Sequence, residues 1–344
     1  MPANPCAVRG AIRGGVPAGS SSGDRGPPRT AEKHSMRITG TFLDEITHDI
    51  PSQNWGPNEW AADFDVMRQI GIDTVIIIRA GYREHAIFNS WVLRNHRPMM
   101  PVRENLAELF LDLAYQNGMR LFWGIYDPGD WTRNSQQALE LNRAFMQEVY
   151  EQFGEHPAFA GWYITFELCR NKPEQVELVL AAGRHAKSLT PDLPTLISPY
   201  IAGTKAPGVD DRISRTQHEE EWRGIFQRIR DGIDIVAFQD GHIDYTELPE
   251  YLTTNLRLAR EAGIACWSNV ETFDRDMPIK FPPIDWRKLE FKIDAAREAG
   301  VDKLITFEFS HFLSPHSMYP SARQLFRRYC ERFGISVTAT EQKL

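Results

Sequence analysis

TVIIIRAGY, residues 74–82, is the stretch on which the reading of the fold turns. Its first five residues are all β-branched, and Val75 to Ile78 are apolar on both faces of any strand they form. A strand with one wet face alternates polar and apolar residues. One that is apolar throughout is covered on both sides, as in parallel sheets flanked by helices. Runs of similar length recur on either side of it: RITGTFLDE from Arg37, RLFWGIYDP from Arg120, AGWYITFEL from Ala160, PTLISPY from Pro194, DIVAFQDGH from Asp234, ACWSNVETF from Ala265 and DKLITFEFSHF from Asp302. They bring the total to eight, with centres 32 to 47 residues apart. Each interval has room for one helix and two loops.

The intervals carry helix signals of their own. Trp60, Phe64 and Met67 form an apolar stripe at helical spacing, and Leu106, Leu109, Phe110 and Leu113 form another. A glycine followed by an apolar residue closes a helix by the Schellman arrangement. That pair stands before the next strand at Gly71-Ile72, Gly118-Met119, Gly232-Ile233, Gly263-Ile264 and Gly300-Val301, and again at Gly334-Ile335. Eight β/α units predict a single (β/α)8 TIM barrel over residues 36–336, with 337–344 as a short tail. A doubly wound sheet is the alternative, but no G-x-G-x-x-G or G-x-x-x-x-G-K-[ST] phosphate loop follows an early strand.

Residues 1–35 are of different composition, with five Pro, six Gly and four Ser and no aromatic residue. Such a segment cannot build a core and reads as a disordered extension. Arg and Gly interrupt its short apolar runs, against a secretory signal, and Met36 stands directly before the first strand as a candidate start. An organellar leader is the sharper but less favoured reading. The segment carries a net charge of +3, which leaves −10 for the remainder of a 344-residue chain whose formal charge is −7. That balance argues against a nucleic-acid groove, which needs clustered Lys and Arg. No run approaches the ~18 apolar residues of a transmembrane helix. Cys6, Cys169, Cys266 and Cys330 form no C-x-x-C pair, and so few cysteines imply reduced thiols and a cytoplasmic location.

In such a barrel the chemistry sits at the carboxyl ends of the strands. The runs end in Asp44 and Glu45; Arg79 and Tyr82; Tyr126 and Asp127; Glu167; Ser198 and Tyr200; Gln239, Asp240 and His242; Asn269 and Glu271; and Glu308, Ser310 and His311. Side chains alternate between faces, so Asp44 and Glu45 cannot both enter the mouth, nor can Gln239 and Asp240. Glu167 and Glu271 each close an apolar or aromatic strand, where partial desolvation raises a carboxyl pKa. A pair of carboxylates, one proton donor and one ionised, is the equipment of glycosidic bond cleavage. Glu308 reads equally as an ion-pair partner for Arg79.

The glutamates of strands four and seven resemble those of the clan of retaining (β/α)8 glycoside hydrolases. The resemblance implies Glu167 as acid/base and Glu271 as nucleophile. GTFLDEITHDIPSQNWGPNEW from Gly40, WYITFE to Glu167, SPY at Ser198, FQDG from Phe238, SNVETF from Ser268 and FSHFLSP to Pro315 resemble more closely an uncharacterised family of bacterial TIM-barrel proteins, a glycoside-hydrolase-like domain of unknown function. That likeness covers Arg37 to Gly334 and implies functional positions at Glu167, Gln239, Asp240, Glu271 and His311. The wider clan has an Asn before the strand-four Glu, and here Phe166 stands there. Asp240 is therefore the alternative second carboxylate.

Sugar rings stack their C–H faces on aromatic side chains. Trp55, Tyr82, Trp91, Tyr126, Trp131, Tyr200 and Phe273 fall in or beside the β-to-α loops, most of them expected as loop anchors, whereas Trp162 and Trp267 lie within strands. The expected substrate-binding set is Glu45, Arg79, Tyr82, Tyr126, Asp127, Trp131, Tyr200, Gln239, His242, Asn269, Glu308 and His311, with a carbohydrate as partner and no cofactor. The segment from Gly81 to about Val102 reads as a long loop that covers the mouth as a lid or reaches an anionic group, or equally as a solvated excursion. Competing readings are a metal-dependent sugar isomerase or epimerase, with ligands from Asp127, Glu167, Asp240, His242, Glu271 and His311, and a non-catalytic glycan-binding barrel.

Overall fold

The computed structural model describes residues 36–206, 212–275 and 277–338. Eight parallel strands close into a barrel: β1 (Ile38–Leu43), β2 (Thr74–Ile77), β3 (Arg120–Gly124), β4 (Phe159–Tyr163), β5 (Thr195–Ile197), β6 (Ile235–Gln239), β7 (Ala265–Asn269) and β8 (Lys303–Thr306). Each pairs with its neighbours in chain order, and β8 returns to β1. The helices are α1 (Pro57–Ile70), α2 (Trp91–His96), α3 (Leu106–Gln116), α4 (Ser135–Phe153), α5 (Pro173–Leu189), α6 (Arg215–Ile229), α7 (Leu248–Ala262), α8 (Trp286–Ala299), α9 (Phe309–Phe312) and α10 (Pro320–Phe333). Among them none is long and apolar enough to cross a membrane. The expectation for residues 1–35 lies outside the described residues.

The two-residue period of the strands sorts the core into two layers. Phe42, Ile76, Phe122, Tyr163, Leu196, Ala237, Trp267 and Ile305 fill the barrel interior. Leu43, Ile77, Trp123, Trp162, Phe238, Val270 and Leu304 face outward and join the apolar stripes of the helices. Trp162 and Trp267 are thus core residues, on opposite sides of the sheet.

Helices α1, α7, α8 and α10 end at left-handed glycines, Gly71, Gly263, Gly300 and Gly334, as the sequence predicts. Gly118 also has positive φ, one residue beyond the Asn117 cap of α3. Gly232 differs. Helix α6 runs out through Arg230 in right-handed geometry, and Gly232 serves close packing instead, its carbonyl lying against Gly183 of α5. A Cβ at Gly183 would fall 2.3 Å from that oxygen. Gly183→Ala is expected to destabilise the fold by about 1–3 kcal/mol in denaturant melts, the usual cost of overpacking.

The segment after β2 is not the unstructured loop expected. Gly81–Tyr82 pairs antiparallel with His85–Ala86 and parallel with Tyr126–Asp127, which makes a small three-stranded sheet above β2 and β3. Helix α2 follows, capped by Ser90, and Glu148 of α4 accepts from the Trp91 amide at 2.7 Å. Two-residue strands have no readable period, which is why the pattern was silent there.

Candidate active site

The rim begins with what alternation delivers. Trp267, Asn269 and Glu271 share one parity, as do Tyr163, Thr165 and Glu167, so each glutamate continues the inward face of its strand. At the carboxyl ends of the strands lies a pocket of about 740 Å³, counting its open mouth. Its lining includes Glu167, Ser198, Tyr200, Gln239, His242, Asn269 and Glu271, all on the sequence-derived list of strand-end residues. The apolar part comes from Phe42, Ile78, Tyr163, Phe273, Phe281 and Phe307, a mixture of ring faces and polar groups suited to a sugar.

The floor is knitted. Gln239 Nε2 donates to the Ser198 carbonyl at 2.7 Å, and Asn269 Nδ2 donates to Ser198 Oγ at 3.1 Å. Asn269 Oδ1 accepts from the Phe307 amide at 2.9 Å, so this chain of bonds ties the ends of β5, β6, β7 and β8 together. His242 tilts against Tyr200 with ring centroids 4.9 Å apart, and its buried Nδ1 has no hydrogen-bond partner among the described residues. Burial and the nearby Arg275 push its pKa down to about 4, so the imidazole is neutral at pH 7.

The two glutamates sit in opposite electrostatic settings. Glu271 is 1% exposed, and Arg275 grips its carboxylate with both arms, Nε to Oε2 at 2.9 Å and Nη2 to Oε1 at 2.7 Å. Burial, the largest influence, would raise its pKa; Arg275 and then Lys292 outweigh it and hold the carboxyl below its ordinary value. The Glu167 side chain is 31% exposed and meets only one arm of Arg79, at 3.4 Å, while the Arg79 Nε is bound to Asp127 at 3.1 Å. Burial raises Glu167, Arg79 works against the rise, and Asp49 adds to it.

Several expected site residues stand elsewhere. Asp240 follows the outward parity of Phe238; buried between sheet and α8, it accepts from Lys292 Nζ at 2.7 Å and from the Glu271 amide at 3.1 Å. It is not a lining carboxylate but a brace beneath Glu271. Burial raises it to about 6 despite Lys292. Lys292→Met should therefore cost about 3–5 kcal/mol near pH 8, where it strands an ionised carboxylate. Loss of Lys292 raises Asp240 further, so the penalty should shrink as pH falls toward about 6, below which Asp240 is protonated with or without its partner; thermal melts at pH 5 and 8 test this.

Glu308 does not pair with Arg79. It caps α9, accepting from the Ser310 and His311 amides, and pairs with the buried His311 ring. Burial alone would lower His311, but Glu308 holds it at about 9, and its Nε2 meets the Pro51 carbonyl at 2.8 Å. The pair anchors the β1–α1 segment rather than lining the pocket. Glu45 is bonded to Ser52 of the same segment and also lies outside the lining. Tyr82 is stacked under His48 at 5.2 Å, Tyr126 OH donates to the Arg83 carbonyl, and Trp131 leans on Phe166 at 5.1 Å, so these three rings are anchors. Asp127 reaches the site only through Arg79.

The six candidate metal ligands do not converge: Asp127, Asp240 and His311 are engaged by Arg79, Lys292 and Glu308. Among the described residues no group of three or more His, Cys, Asp or Glu side chains is placed to hold a metal ion. Phe42, Ile78, Tyr163 and Phe307 line the pocket from runs read only as strands, and three further lining residues lie outside the strand ends: Asp49, Arg275 and Phe281. Each of these three sits on a loop that folds back over the mouth, where no periodicity points.

No curated protein matches the chain. A crystal structure of a Bacteroides thetaiotaomicron VPI-5482 protein, provisionally assigned as an alpha-L-fucosidase, is 45% identical with a TM-score of 0.85, over 88% of this chain and 97% of that one. At 13% identity the fold is shared with an endo-1,4-beta-D-mannanase from Thermotoga petrophila RKU-1, TM-score 0.53 over 79% of this chain and 87% of that one. A beta-glucuronidase from an uncultured Clostridium species, also 13% identical, has TM-score 0.52 over 87% of this chain and 50% of its own. Residues 38–319 match a family described as a domain of unknown function, DUF4434, and the chain is a member of that family, built on the barrel that glycoside hydrolases share.

Proposed function

We propose that residues 36–336 form one catalytic domain that hydrolyses a glycosidic bond. Glu167 gives a proton to the departing oxygen, and Glu271 acts as nucleophile or as base toward water. The observation that carries this reading is that two strand-end glutamates line one pocket in settings that move their pKa values apart, Glu167 upward and Glu271 downward. Such a split assigns acid and base roles to chemically identical groups. The likeness to a provisionally assigned alpha-L-fucosidase supports a terminal fucoside as the first substrate to offer. Phe42, Ile78 and Phe307 give its methyl group an apolar place to rest.

The test is a panel of 4-nitrophenyl glycosides headed by the α-L-fucoside, with the anomer of the first-formed sugar read by proton NMR. Release of nitrophenol dependent on both glutamates supports the reading, and the anomer separates a covalent intermediate from direct attack by water. Binding of sugars without turnover, unaltered in Glu167→Gln and Glu271→Gln, would replace it with a glycan-binding barrel.

A further inference from the structure

A carboxylate as buried as that of Glu271 takes up a proton unless a cation meets it. Lys292 is near, but its Nζ is engaged by Asp240 at 2.7 Å and by the Glu271 main-chain carbonyl at 3.3 Å. The cation on the carboxylate itself is Arg275. We infer that Arg275 is the positioning residue for Glu271, a guanidinium supplied by the β7–α8 segment that keeps the carboxylate charged and in one orientation. The inference rests on the hydrolase reading for its catalytic meaning.

Three independent features build the seat. First, the segment is zipped at its base: the Asp274 amide donates to the Pro282 carbonyl at 2.8 Å, and the Ile284 amide to the Thr272 carbonyl at 2.9 Å. Second, the guanidinium lies over two rings, 4.8 Å from the Phe273 centroid and 5.3 Å from that of Phe281, themselves 4.5 Å apart. Cation–π contact of this kind holds an arginine in place and leaves its N–H groups free to grip a carboxylate. Third, Gly241 opposite has no side chain, and none fits. A Cβ there would come within 1.8 Å of Glu271 Oε2 and 2.6 Å of Arg275 Nε. The fork uses one lone pair on each carboxylate oxygen and leaves the other for a substrate carbon or a water.

Arg275 also acts on Glu167 and Asp49 through space. It is thus one guanidinium amid the three carboxylates that line the pocket among the described residues. A lysine in its place would keep the charge and lose the fork.

Arg275→Ala, Arg275→Lys and Gly241→Ala in the full chain test the assignment. In Arg275→Ala, kcat/KM at pH 7 should fall about ten- to a hundred-fold, as for loss of a charged hydrogen bond. The acid limb of its pH profile should move upward, and added guanidinium ion should bring part of the rate and the limb back. Arg275→Lys should keep the limb low while losing rate. Gly241→Ala, which fills the seat and leaves the arginine in the chain, should move the limb in the same direction as Arg275→Ala, and it decides the matter if that variant does not fold. Titration of the Glu271 carboxyl by carbon-13 NMR needs no turnover. The carboxyl should ionise below 4.5 in the unmutated protein and above it in Arg275→Ala or Gly241→Ala. A lower melting temperature with an unmoved acid limb and an unmoved Glu271 titration would overturn the inference. A titration that moves in a protein that cleaves no glycoside would uphold it and overturn the hydrolase reading.

Discussion

Glu271→Gln should lose at least about 10⁴-fold in kcat/KM on every glycoside that the unmutated protein cleaves. The amide has nearly the shape of the acid, so the pocket keeps its outline, but it can neither attack the anomeric carbon nor take a proton from water. It also leaves the Arg275 guanidinium facing a neutral group in a buried place, so a drop in melting temperature should accompany the loss. Activity within tenfold of the unmutated protein would remove Glu271 from the mechanism. Asp49, the remaining lining carboxylate among the described residues besides Glu167, would then take its place as the candidate.

Glu167→Gln should behave differently, and the difference is diagnostic. Loss of a general acid costs about 10²–10⁴-fold where the leaving oxygen needs a proton, as for an alkyl glycoside or an oligosaccharide. A dinitrophenyl glycoside leaves without one, so its bond cleavage should slow far less. As the proposed acid Glu167 must be protonated, and its pKa lies above the ordinary 4.5, so in the unmutated protein kcat/KM should fall as pH rises through that raised value. As the proposed nucleophile or base Glu271 must be ionised, and its pKa is lowered, so kcat/KM should fall as pH drops through a value below 4.5. Glu167→Gln should abolish the alkaline limb and leave the acid one. An alkaline limb that survives, or equal losses on good and poor leaving groups, would show that another residue gives the proton. His242, neutral above about 4, would be excluded from that role at neutral pH.

Much of this architecture was legible because apolar spacing is a physical record of which face is buried. The strands could be counted, and the glutamates of β4 and β7 could be placed at the ends of apolar runs; that both face inward is shown by their sharing parity with Tyr163 and Trp267 in the packed barrel. The same logic stopped short at FQDG. Its strand is apolar on both faces, so sequence alone established that one of Gln239 and Asp240 enters the mouth without choosing between them; packing of Asp240 against Lys292 makes the choice. Arg275 was harder still. It stands on a segment that doubles back, and its fork on Glu271 has room only because Gly241 carries no side chain. The anchors of the rim were misread for a related reason. Glu308 and Arg79 are both charged strand-end residues, and charge alone does not say that one turns to His311 and the other to Asp127 and Glu167.

The bonded chain through Ser198, Gln239 and Asn269 bears on how this pocket can diverge. These side chains are committed to one another and to main-chain groups of neighbouring strands, so exchanging one of them disturbs strand ends before it changes what is recognised. The walls are not bound in this way throughout. Asp49 on the β1–α1 segment hangs from a loop outside the barrel strands, whereas Phe281 on the β7–α8 segment is tied to the seat of Arg275. New sugar preferences on this scaffold should therefore arise first by exchange in the β1–α1 segment, where neither the floor nor the arginine seat is disturbed.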